Sequence, residues 1–321
     1  MTNVQDRLKL EEAIGALRRD WSILKPRLLT LDHQLTTACT NLSIRLHYPA
    51  IRQGQSTVDT LIDKIFLFIS HFCLPRSEVE EVYESSRSLD PFEFHRRLSE
   101  LDDRARRLFQ KARKDSGEVG ELLLFILTEW VLDAPQIIAK MSLKTSAAMP
   151  VHGSDGIHVK FDAQAGKLLV FSGEAKLYKD VKRGIASAVE SIGKALTTDT
   201  MNHELQLVQR NIHFAGLDEK ARTALLRYLD PFDDADADRH DVVTCLIGFD
   251  FAAYREVLSE EGDPEAAFQQ AAHNQLTQLG PTMATSLQDA GLGHCHVELF
   301  FLPLPSVEAA RDRFSALIGL A

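Results

Sequence analysis

The stretch from Gly117 to Leu196 constrains this chain most, because its hydrophobic period changes from helix to strand and back within a span too short for separate folding units. Glu118 to about Leu132 carries the dense apolar run of a buried helix, which must end before Pro135. Ile137–Lys144, Ile157–Phe161 and Leu168–Tyr178 are rich in β-branched and apolar residues, and Ala165-Gly166 supplies a turn between the last two. Helical spacing then returns through Val181, Ile185, Ala188, Val189 and Ile192. The predicted order is helix, three strands, helix.

Around this segment the chain divides in three. Residues 1–115 read as an all-helical N-terminal region: apolar residues recur at helical spacing from Val4 until Pro26, again over Val58–Cys73, and along Leu98, Leu101, Ala105, Leu108, Phe109 and Ala112. Residues 116–255 are the mixed core, with a further strand at Val242–Phe251 after an acidic, solvated loop at Asp230–Asp241. Residues 256–321 read as an α/β extension with a helical stretch near Pro264–Leu279, a half-exposed strand at His294–Leu302 and a closing helix at Val307–Leu320. The fold class is therefore α+β.

Lys+Arg of 36 against Asp+Glu of 46 leaves a net charge of −10, which excludes a surface that clings to polyanions everywhere. Any nucleic-acid contact must be local or shared with a partner. Cys39, Cys73, Cys245 and Cys295 are widely separated and form no Cys-x-x-Cys pair, so neither a disulfide framework nor a zinc ribbon is expected. Asp6, Arg7, Lys9, Glu11 and Glu12 occupy the place of a signal peptide's apolar core, and no apolar run reaches membrane-spanning length. A cytoplasmic protein with no membrane contact is the expectation.

Side chains alternate along a strand, so Glu174 and Lys176 project on one side with Ala175 opposite. Asp155 begins the preceding strand, and a hairpin about Gly166 brings it toward Glu174. Two carboxylates and an amine meeting there suit metal-assisted phosphodiester hydrolysis. Mg²⁺ (or Mn²⁺) takes hard oxygen ligands, and a cation beside it stabilises charge on the phosphate. Glu118 and Glu121, three residues apart on the preceding helix, offer one more carboxylate, and Lys179, Lys182 and Arg183 form a basic cluster suited to DNA phosphates. Each has a plainer reading: a turn aspartate before Gly156, an ion pair on an exposed strand, first-turn helix acids and a solvated helix face. Asp218-Glu219-Lys220 also fits a relaxed Asp/Glu-x-Lys pattern but opens the helical stretch Ala221–Leu229, so it reads as an acidic helix N-terminus. His152 and His158 match no zinc spacing, which leaves a substrate-facing or hydrogen-bonding role, and His294, His296 and Glu298 read as one face of a strand rather than a metal site.

At these residues the chain resembles the PD-(D/E)xK nuclease superfamily, whose core order is helix, three strands, helix, strand. More narrowly, Gly-Glu-Val-Gly-Glu-Leu-Leu-Leu-Phe at 117–125, Lys-Met-Ser-Leu-Lys-Thr at 140–145, Val-His-Gly-Ser-Asp-Gly-Ile-His at 151–158 and Gly-Glu-Ala-Lys at 173–176 are similar to the HamA family, the effectors of Hachiman antiphage defence. Cys-Leu-Ile-Gly-Phe-Asp at 245–250 is similar to that family's later strand. The resemblance implies a restriction-endonuclease-like core and a metal-dependent DNA nuclease, with Asp155, Glu174 and Lys176 at the catalytic positions and Glu121 as a helix carboxylate. Asp155, Glu174 and the Ala175 carbonyl would hold the ion. It also implies a partner, a HamB-like superfamily 2 helicase that restrains and releases the nuclease. No Walker A sequence is present here, so ATP hydrolysis would belong to that partner. Ser154 stands where the superfamily name has proline. The alternative is a nuclease-like module without cleavage that docks on and regulates a helicase.

Overall fold

A computed structural model of the chain describes residues 4–33, 35–110, 117–143, 156–230, 232–257 and 262–320. Its strands are β1 (Leu28–Thr30), β2 (Leu42–Pro49), β3 (Ile51–Arg52), β4 (Gln55–Ser56), β5 (Gln136–Ile138), β6 (Ile157–Asp162), β7 (Lys167–Tyr178), β8 (Arg239–Asp250) and β9 (Val297–Leu304). The helices are α1 (Val4–Ala16), α2 (Val58–Phe66), α3 (Ile69–Cys73), α4 (Arg76–Ser85), α5 (Pro91–Gln110) and α6 (Glu118–Val131), followed by α7 (Val181–Ala195), α8 (Thr198–Asn211), α9 (Glu219–Tyr228), α10 (Ala253–Val257), α11 (Pro264–Asp289) and α12 (Val307–Ile318). β3 and β4 make a small hairpin; the others form one seven-stranded sheet in the order β1-β2-β9-β8-β7-β6-β5. β2, β9, β8 and β7 are parallel, and the outer pairings β1–β2, β7–β6 and β6–β5 are antiparallel. The fold is α+β, with helices on both faces of this mixed sheet.

The period of two along β8 shows why both faces are covered. Val242 and Leu246 pack with α2, α3, α5, α6 and α12, whereas Val243, Cys245, Ile247 and Phe249 pack with α7, α10 and α11. Parallel strands buried on both sides read as continuous apolar runs rather than as alternation. β9 is the clearest case, since all of Val297–Leu304 is buried. The expected half-exposed strand at His294–Leu302 is corrected accordingly: His294 and His296 precede β9, which lies between β2 and β8 under helices on either side. A third apolar cluster joins α1, α8 and α9 to β5, β6 and the start of β7 through Leu10, Ile14, Val208, Leu225, Val159 and Leu168.

The expectation that the first 115 residues are all-helical is also corrected. α1 stops at Ala16, Trp21 and Leu24 turn inward through a short 3-10 turn, and β1 and β2 follow. Leu42, Ile44, Leu46 and Tyr48 alternate with Ser43, Arg45 and His47, a strand period that pays off only when β9 arrives as partner some 250 residues later. The sheet thus draws strands from the beginning, middle and end of the chain. Within the middle, helix, three strands, helix and strand occur as α6, β5, β6, β7, α7 and β8, with α8 and α9 between α7 and β8. Gly166 has φ +68°, the left-handed turn that reverses β6 into β7. Asp218 caps α9 through its carboxylate and the Ala221 amide at 2.7 Å, in keeping with an acidic helix N-terminus there.

Candidate functional site

β7 outruns its antiparallel neighbour. The β6–β7 ladder ends at Ile157–Ser172, whereas β7 stays paired with β8 up to Tyr178–Phe249. Among the described residues, Gly173–Tyr178 therefore has a strand on one side only. On this length Gly173, Ala175 and Leu177 face α6. The fit is close: a Cβ on Gly120 would stand 3.2 Å from Ala175 Cβ, and one on Gly173 would stand 3.1 Å from Leu124 Cδ2. Glu174, Lys176 and Tyr178 face the other way, toward α7, where the Tyr178 hydroxyl and Ser187 Oγ are 3.2 Å apart.

Lys176 Nζ donates to Glu174 Oε1 at 2.5 Å, with side chains 19% and 25% exposed. Burial pulls the Lys176 ammonium down, but its hydrogen bond to Glu174 and that carboxylate's charge outweigh burial, and its pKa ends above the ordinary lysine value. A protonated amine beside an accessible carboxylate is the result. Cys245, the β8 partner of Glu174, is no nucleophile: burial, reinforced by the Glu174 charge, pushes its thiol well above the usual range.

The other expected site residues are dispersed. Asp155 lies outside the described residues, as do His152 and Ser154. Glu121 and Glu118 sit in the first turn of α6, half-buried and buried, on a helix that packs against the opposite face of β7 from Glu174. Lys179 pairs with Glu308 of α12, while Lys182 and Arg183 are exposed in the first turn of α7, where Asp180 caps the helix by accepting from Arg183 N at 2.9 Å. His158 is buried one strand away. Its Nδ1–H donates to the Ala134 carbonyl at 2.9 Å, and burial lowers its pKa to about 4, so it is a neutral structural group.

Sequence reasoning missed two buried charge clusters. Lys140 Nζ donates to Glu204 Oε1 at 2.7 Å, with side chains 2% and 12% exposed, tying the turn after β5 to α8. Glu204 also lines a small cavity with Ile157, Ser172 and Asp241, on the same face of β7 as Glu174 and two residues from it. Beneath β5, Glu129 accepts from Gln136 N at 2.9 Å and pairs with Arg19 and, at 3.6 Å, with Arg76. Nothing in a linear reading brings Arg19, Arg76 and Glu129 together. The signal for Lys140 was its place in the 140–145 motif, but Glu204 carries no local signature. Among the described residues no group of three or more His, Cys, Asp or Glu is placed to hold a metal ion. That includes Glu298, whose partners are Arg45 and, at 3.3 Å, His296.

Among the same residues, no helix is long and apolar enough to cross a membrane. Compared with known families, residues 25–318 match HamA, so the match covers nearly the whole chain and leaves out α1. No curated protein sequence matches it.

Proposed function

The chain belongs to the HamA family of antiphage defence proteins, and from that premise we propose that it is a metal-dependent DNA nuclease acting at the free length of β7 under the control of a helicase partner. One observation carries this: a carboxylate and an amine, two residues apart, share an accessible face where β7 has outrun β6. The order α6, β5, β6, β7, α7, β8 supports a restriction-endonuclease-like core. The third group, Asp155, precedes β6 by two residues in the sequence and lies outside the described residues.

The donor set fits a hard divalent ion. Glu174 offers a carboxylate, alternate main-chain carbonyls of Gly173–Tyr178 face the open edge, and the one thiol nearby, Cys245, is buried and protonated. In our reading Asp155, Glu174 and the Ala175 carbonyl hold Mg²⁺ or Mn²⁺. Such an ion lowers the pKa of its water and neutralises charge on the scissile phosphate. Lys176, kept protonated by Glu174, stabilises the negative charge that develops on that phosphate. Glu121 stands on α6, packed against the opposite face of β7, and lies outside this set.

The test is plasmid degradation in Mg²⁺ by the full chain with and without its helicase partner, alongside phage protection. Glu174→Gln, Lys176→Met and Asp155→Asn each remove one charge with little change of shape. Loss of about 10²-fold or more in cleavage, together with loss of protection, is expected. Full protection by Glu174→Gln would instead favour a non-catalytic module docked on a helicase, the reading that the net charge of −10 favours.

A further inference from the structure

α7 packs on the face of β7 that carries Glu174 and Lys176 while leaving both side chains partly exposed, and the two flanks of α7 look in different directions. Its buried stripe, Ile185, Ala188, Val189 and Ile192, packs on the sheet. A Cβ on Gly193 would stand 3.6 Å from Leu292 Cδ1, so that flank faces the chain just after α11. Lys182 precedes Gly193 by eleven residues, close to three whole turns at ~3.6 residues each, and therefore lies on the same flank. The other flank faces the free edge of β7, since Ser187 reaches the Tyr178 hydroxyl.

Arg183 lies four residues before Ser187; Ser191 and Lys194 lie four and seven after it, all on this edge-facing flank. Arg183 and Lys194 are exposed, and Ser187 and Ser191 are half-buried. α7 runs back along β7: Gly184 sits against Tyr178 and Ile247, whereas Ala195 lines one cavity with Val170 and Ser172. Four residues of helix rise ~6 Å and two of strand ~6.6 Å, so the flank keeps step with Tyr178, Lys176 and Glu174. Glu190, which accepts from Lys194 Nζ at 2.6 Å, has its carboxyl held low first by that hydrogen bond and more weakly by the charge of Lys176.

We propose that this flank of α7 is the track along which the DNA strand lies, with Arg183 and Lys194 each neutralising a phosphate and the Ser191 hydroxyl donating to the backbone between them. The proposal rests on the nuclease reading above and deepens it. It separates the basic residues near β7 into those that serve DNA and those that do not. Lys182 is on the wrong flank, and Lys179 reaches Glu308 of α12, beyond the opposite face of the sheet, whereas the Lys194–Glu190 pair stays on α7 itself. The two cations are about 16 Å apart along the helix axis, the rise of about five base steps of duplex DNA.

The test is binding of a labelled duplex by the full chain in EDTA, so that no strand is cut, with affinity measured across a range of salt concentrations. Each phosphate contact contributes ~0.9 to the slope of log K against log salt. Arg183→Ala and Lys194→Ala are each expected to lower the slope by about 0.9, the double variant by about 1.8, and Lys182→Ala to leave it unchanged. All of these positions are exposed, and thermal melts verify that the variants fold. Unchanged slopes for Arg183→Ala and Lys194→Ala, an equal loss in Lys182→Ala, or no duplex binding by the unaltered chain would each overturn the proposal. Its failure is distinguishable from failure of the nuclease reading, because plasmid cleavage abolished by Glu174→Gln stands or falls without reference to these slopes.

Discussion

His158 makes the protein's stability acid-sensitive by an amount that follows from its burial. A residue of β6 paired with Gln136 of β5 and with Phe125 against its ring, it has a pKa lowered to about 4, chiefly by desolvation and further by Arg19 and Arg76, against the opposing pull of Glu129. In the unfolded chain the same imidazole titrates near ~6.5. Between these values the unfolded state binds a proton that the folded state does not, so stability is complete above pH ~6.5 and falls as the pH drops toward about 4. At pH 5, some ~1.5 pH units below the unfolded value, the loss is about 2 kcal/mol at ~1.36 kcal/mol per unit. His47 is also buried and His71 half-buried, and desolvation lowers them to about 3 and about 4. Their contributions have the same sign as that of His158 and deepen the loss between pH 7 and pH 5. Urea unfolding followed through Trp21, buried against Phe68 and Phe125, measures this directly. His158→Gln keeps a donor for the Ala134 carbonyl and removes the titration, so its loss from pH 7 to pH 5 should be smaller by about 2 kcal/mol. An identical pH dependence in the two proteins would refute the assignment of His158 as a buried neutral base.

Glu129→Ala leaves Arg19 and Arg76 facing each other in the interior without their shared carboxylate, and a loss of about 3–5 kcal/mol is expected in the same urea experiment. Gly248→Ala would put a Cβ 2.3 Å from Leu177 Cδ2 in the centre of the sheet, and the displacement of Leu177 should cost about 1–3 kcal/mol in thermal unfolding.

The Glu174–Lys176 pair was legible because strand alternation is a local rule: once Leu168–Tyr178 is a strand, the two side chains must share a face. The same rule applied to Leu42–Pro49 would have found β2, but its alternation was absorbed into the helical reading on either side. β9 was misjudged for a different reason. Its burial on both faces depends on β2 and β8 as neighbours and on helices from distant parts of the chain, none of which leaves a mark on Val297–Leu304. Arg19, Arg76 and Glu129 were invisible as a group, and so was the Lys140–Glu204 pair, because an ion pair has no sequence period.

From the sequence alone came the α+β class, the run of helix, three strands and helix in the middle of the chain, and the family whose motifs surround Glu174. These rest on periodicity and turn chemistry, which act between residues a few positions apart. Tertiary structure alone decided that β7 extends past β6, that α6 and α7 take opposite faces of it, and that Arg183 and Lys182, adjacent in the chain, belong to different flanks of α7. Those outcomes depend on which buried surfaces fit together, and packing is settled between elements that no local pattern connects.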